Sequence, residues 1–256
     1  MNILQAEIIQ MMYGFMWPFI RVTAMFMSAP VFGQRAFTVR QSVAIGFVLT
    51  WMIFPLIETR PVDPLSFTAI QVAFNEITVG ALMGLSLQIV AAAIIIAGHA
   101  VSSSMGLGMA NMVDPNLGNV PTLSQFLLII SLLVFLALGG HLILISLVVE
   151  SFGKIPVGAG LANTSAIEGL LAWSSNMFIG GLVLVLPVML GLLMVNACLG
   201  VISRASPSLN VFAVGFPALI PLGFVMLLLT LITMQSKLEG LWFAAFSTLR
   251  ENLLGG

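Results

Sequence analysis

Few side chains in the apolar body of this sequence carry groups that catalysis or metal binding would use: Glu76, His99, Asp114, His141 and Cys198. An ionisable residue inside an otherwise apolar run is a functional-site candidate by default, because its desolvation has to be offset by something. A proton relay would pair Glu76 with His99 or Asp114. The alternative is that Glu76, near the start of its run, caps a helix or sits at a membrane interface. His99 and His141 have no second histidine or carboxylate at chelating spacing, so each is read as a hydrogen-bonded helix residue. Cys198 is the single cysteine and has no internal disulfide partner. No nucleophile and base, paired carboxylates or metal-ligand cluster emerges, so no catalytic residue, metal or cofactor is expected.

The elements that hold these residues are those of a membrane protein. Of 256 residues, 60% are hydrophobic and only 7% charged, against roughly a quarter charged in soluble domains. The mean hydropathy is +1.16. A formal net charge of −1 leaves no basic stripe for a phosphate backbone, which excludes nucleic acid as an expected partner. Glu7 is the first charged residue and Arg21 the first basic one, so no cleavable signal peptide is expected.

Charge-free runs cover residues 41–57, 77–113, 115–149, 169–203 and 205–236, and each approaches or exceeds the roughly 20 residues needed to cross a bilayer core. A sixth segment, residues 8–27, is interrupted by Arg21, with Tyr13 and Trp17 as interfacial anchors. Turn chemistry at residues 30–40, 58–64, 111–121, 151–160 and 203–207 separates the runs. The fold class expected is therefore all-α: about six long, partly broken helices, with an amphipathic helix over residues 238–254. No internal repeat appears, so residues 1–256 read as one unit, with long apolar helices over 1–236 and a tail over 237–256. Alternating helices would place Arg35, Arg40 and Arg204 on one side and Arg60, Lys154, Lys237 and Arg250 on the other. That split sets no orientation. Either the sample is small or some helices are buried among other helices instead of crossing alone.

Helices in lipid associate through close backbone approach and interhelical hydrogen bonds, so small and polar residues mark their contact faces. Glu76, Gly80, Gly84 and Gln88 follow at spacings of four, and Ala91, Ile95, His99, Ser102 and Gly106 continue the stripe. A later run carries Gly180, Gly181, Pro187, Gly191, Asn196 and Gly200, which predicts tight packing and a kink near Pro187. The most unusual segment contains Met105, Gly106, Leu107, Gly108, Met109, Asn111, Met112, Asp114 and Pro115. Glycine weakens a helix and Pro115 disfavours helical geometry at Asp114, so irregular backbone is expected there. At membrane depth such backbone must be covered by protein or line a cavity, and flexible methionines suit a seal; an ordinary exposed loop is the other reading. Broken helices with Gly and Pro also build the substrate sites of secondary transporters or small-molecule channels, a reading that predicts an internal repeat.

Several motifs occur in order along the chain: Trp17-Pro18-Phe19-Ile20-Arg21 with Ala29-Pro30; Met105-Gly106-Leu107 with Val113-Asp114-Pro115; and Gly140-His141-Leu142 through Ser146 to Ile155-Pro156-Val157-Gly158. The longest runs from Leu199-Gly200-Val201 through Arg204, Pro207 and Asn210 to Phe212, followed by Gly215-Phe216-Pro217. In these the chain resembles the FliR family of flagellar and injectisome type III export proteins. The resemblance implies a subunit that joins FliP and FliQ homologues in a narrow gate of the bacterial inner membrane, packed in a helical hetero-oligomer with its helices as hairpins. FlhB and FlhA homologues would be further partners, membrane lipid a neighbour, and unfolded secreted polypeptides the cargo. It further implies a cone of helices largely above the membrane plane, residues 105–121 as a loop plugging the closed pore, and residues 204–212, with Arg204, Pro207, Asn210 and Phe212, as a turn. Two positions depart from the family pattern: a proline would be expected near Thr38, and an acidic residue in place of His99.

Overall fold

The computed structural model describes residues 2–33, 38–57, 62–107, 122–159, 164–205 and 211–255, and every regular element among them is helical. In chain order these are α1 (Asn2–Ser28), α2 (Pro30–Gly33), α3 (Val39–Ile53) with a 3-10 turn at Phe54–Leu56, α4 (Phe67–Ser104), α5 (Thr122–Ala137), α6 (Gly140–Lys154), α7 (Thr164–Ala205) and α8 (Val211–Leu254). The protein is an all-α membrane protein. Among the described residues α3, α4, α7 and α8 contain stretches long and apolar enough to cross a membrane, and α5 with α6 qualify as a bent pair.

Local sequence accounts for where the helices start and stop. Thr38 precedes α3 in extended backbone, and the Gln41 side chain accepts hydrogen bonds from the Thr38 amide at 2.8 Å and its hydroxyl at 3.1 Å. The charge-free run 115–149 is not one helix: Gly139 takes φ 69° between α5 and α6, a left-handed conformation that glycine adopts without steric cost. The charges at Lys237 and Glu239, by contrast, do not interrupt α8. Leu238, Trp242, Ala245 and Leu249 turn inward at helical spacing while Lys237 stays exposed, so the amphipathic end continues a long apolar helix. Pro18, Pro187, Pro217 and Pro221 lie inside helices.

The chain divides into two compact units, with α4, α7 and α8 each running from one into the other. The first comprises Met1–Ile89, Gly139–Ser174 and Phe243–Gly256. Its core stacks Val22, Met25 and Phe26 of α1 with Ala29 just after it, Val79, Met83 and Leu87 of α4, and Leu144, Val148 and Phe152 of α6. Beside it Phe15 meets Phe47, Phe54 and Trp51 edge-on, with ring centroids 5.3, 5.6 and 6.1 Å apart, joining α1 to α3 and the turn after it. The second unit comprises Val90–Leu138 and Ser175–Trp242. There Ile94, Ala97 and Val101 of α4, with Met105 just past its end, face the interior with Leu127, Leu128 and Phe135 of α5, Leu184, Val188 and Leu192 of α7, and Leu227, Leu238 and Trp242 of α8.

Candidate functional site

In the first unit the small-residue face of α4 lies against α1. A Cβ at Gly80 would collide with the Arg21 carbonyl, and one at Gly84 with the Ser28 hydroxyl and, at 2.6 Å, the Met25 carbonyl. The two helix backbones therefore touch where only glycine fits. One turn before Gly80 stands Glu76, fully buried. Among the described residues its charged partner is Arg21, where the sequence offered His99; Asp114, the other residue offered, lies outside them. Arg21 Nε donates to one Glu76 oxygen at 2.7 Å and Nη2 to the other at 3.0 Å, a fork that matches the planar carboxylate. Two further donors are used: Nη1 reaches the Ser151 hydroxyl at 3.1 Å, and Nη2 the Ile155 carbonyl just past the end of α6 at 2.9 Å. The guanidinium also lies 4.2 Å from the centre of the Phe152 ring. Losing one member of such a pair leaves a bare charge in a dry interior, at a cost of about 3–5 kcal/mol. In the sequence Arg21 stands out as a break in an apolar segment and the end of the Trp17–Arg21 motif, with nothing local to name its partner. The signal that identifies it is that the one basic residue of α1 and the one acidic residue of α4 both lie within apolar runs, where each needs an opposite charge.

In the second unit Gly181 sits against the Ala93 carbonyl, where an added Cβ would come within 2.8 Å. Gly200 faces open space and Gln88 is half-buried, so the faces read from the sequence are not equally used. The methionine-rich segment begins with a fixed anchor. Met105 is fully buried, and its side chain fills the space a Cβ at Gly223 of α8 would occupy. Gly106 then adopts φ 77° and its amide bonds the Ser103 carbonyl at 3.0 Å, closing α4 with a left-handed cap. The Asn196 amide of α7 approaches the Ser104 carbonyl at 3.5 Å. Met105 is thus packed among helices, and Leu107 is the half-exposed residue beyond the cap. Gly108, Met109, Asn111, Met112, Asp114 and Pro115 lie outside the described residues, as do Pro207 and Asn210. Arg204 is exposed in the last turn of α7, and Phe212 falls in the first turn of α8.

Trp242 of α8, for which the sequence gives no signal, donates from Nε1 to the Ser131 hydroxyl at 2.9 Å and packs tilted at 59° against Phe135, with ring centroids 4.8 Å apart, both partners being in α5. Among the described residues no three His, Cys, Asp or Glu side chains group closely enough to hold a metal. Chemically, the arrangement is one of close helix contacts, a neutralised ion pair and a capped helix end leading into a methionine-rich segment.

Residues 12–245 match the model of the bacterial export proteins, family 1. The chain is 35% identical over 240 residues to the flagellar biosynthetic protein FliR of Pectobacterium carotovorum subsp. carotovorum, covering 93% of this chain and 92% of that relative. It is 32% identical over 238 residues to the FliR protein of Escherichia coli strain K12, covering 93% and 91%. It is also 32% identical over 252 residues to that of Bacillus subtilis strain 168, covering 97% of both chains. With the family model and relatives above 30% identity spanning nearly the whole length, the chain belongs to the bacterial export proteins, family 1.

Proposed function

We propose that this protein is a structural and gating subunit of a flagellar type III export channel in the bacterial inner membrane. It would help form the pore through which unfolded secreted polypeptides pass, as a non-enzymatic member of an assembly with FliP, FliQ, FlhB and FlhA homologues. The observation that carries the reading is the end-to-end similarity to flagellar biosynthetic proteins, over 93% of the chain in the Pectobacterium relative. The gating role draws on the Met105 segment. Its first residue is anchored against α8 and its helix is finished by Gly106, so a fixed rim leads into a stretch with Met109 and Met112. Methionine side chains are flexible and polarizable, suited to closing a narrow lumen against water and ions and to yielding when a polypeptide replaces their contacts.

Because Met105 belongs to the core, the informative deletion begins after the cap. Removing residues 108–118 leaves co-purification with the FliP and FliQ homologues intact and raises the ion conductance of the membrane that holds the complex. An assembled complex with unchanged conductance overturns the gating role.

A further inference from the structure

We propose that Arg21 and Glu76 form a two-part insertion lock, which makes the seating of α1 in the membrane domain conditional on α4 and α6. α1 is outside the set of described helices that are long and apolar enough to cross a membrane, whereas α4 is within it. Its interior carries Arg21, and that side chain has no exposed surface, so its charge does not reach water along the stem as lysines and arginines near helix ends do. Among the described residues the opposite charge comes from α4, through the two bonds to Glu76, and from the end of α6 come the Ser151 hydroxyl, the Ile155 carbonyl and the Phe152 ring. The dependence is mutual, because the charge that Glu76 carries into the α4 span is met from α1.

The approach is set by glycine. The Arg21 carbonyl rests on Gly80, one turn from Glu76, so the backbones must already be in contact when the guanidinium reaches the carboxylate. Before α1 docks, each helix holds an uncompensated charge that favours the aqueous edge; after docking, neither charge is free. Close packing and charge neutralisation thus arrive in one step, and a chain lacking either key leaves α1 unseated. Polar groups of this kind are best understood as setting register and partner, since a well-packed apolar pair serves stability as well.

The test uses the full chain in its own membranes, with Cys198→Ser and a reporter Val22→Cys, because Val22 is buried in α1 and Cys198 is exposed. A membrane-impermeant maleimide reads whether α1 is seated. With both charges present the reporter is protected. Glu76→Leu or Arg21→Leu alone increases its labelling rate by roughly tenfold or more, and the double variant Arg21→Leu/Glu76→Leu returns it to within about twofold of the parent. Where a single variant is degraded before it can be labelled, the half-life of the pulse-labelled chain is the readout: short for each single variant, restored in the double. Single variants as protected as the parent overturn the lock. So does a double variant that labels as fast, or decays as fast, as the worse single variant.

Discussion

Arg21 and Glu76 are 55 positions apart, and that separation is why the pairing was not legible in the sequence. Local pattern shows which residues share a helix face, but not which face meets which. The same holds for Trp242, whose bond to Ser131 spans 111 positions. A buried indole N–H is a donor without water to turn to, so removing its partner or the donor itself is felt in stability. Trp242→Phe removes that donor, leaves the Ser131 hydroxyl without it and keeps much of the ring contact with Phe135. The expected loss is about 1–3 kcal/mol, read as a lower unfolding midpoint in detergent, with fold and family-level function retained. An unchanged midpoint would show that the Nε1 bond contributes nothing net. At this scale the candidate site was partly visible: Glu76, Gly80 and Gly84 were found as a stripe because they repeat every four residues, whereas their partner backbone in α1 was not.

Helices were the most legible level, because the length of a charge-free run translates directly into a span. The misreadings have physical causes. Residues 115–149 lack charge throughout, yet the chain turns at Gly139, where a left-handed residue costs nothing in composition or hydropathy. Residues 237–239 carry two charges, yet α8 continues, because its inward side is apolar at every turn. Glycines illustrate the limit of motif reading. Gly84 and Gly200 look alike in sequence, but the first lies against α1 and the second meets no described residue. Gly84→Leu should therefore drive α1 and α4 apart, at about 1–3 kcal/mol or more, with loss of accumulated protein on an immunoblot. Gly200→Ala should leave accumulation and melting unchanged or slightly improved, since alanine favours a helix over glycine by roughly 1 kcal/mol. Equal effects from the two substitutions would refute the assignment of Gly84 to a contact face.

For the whole molecule, the apolar surface left over by its own packing matters most. Leu229 and Ile232 of α8 are 73% and 83% exposed, and Met194 of α7 is 71% exposed. Such a surface needs lipid or other helices around it, which fits a membrane subunit of an export assembly. The family was legible in the sequence because its motifs keep their order from Trp17 to Pro217; which surfaces meet which neighbours is not written in any single chain. Under the proposed function, secreted chains pass beside the end of α4. This passage is tested most directly by placing a photo-crosslinking amino acid at Leu107, in cells where a flagellar export substrate is stalled in transit by a folded domain. The expected result is a light-dependent adduct between Leu107 and the stalled substrate. A confirmed stall in which Leu107 crosslinks only to neighbouring helices would contradict it.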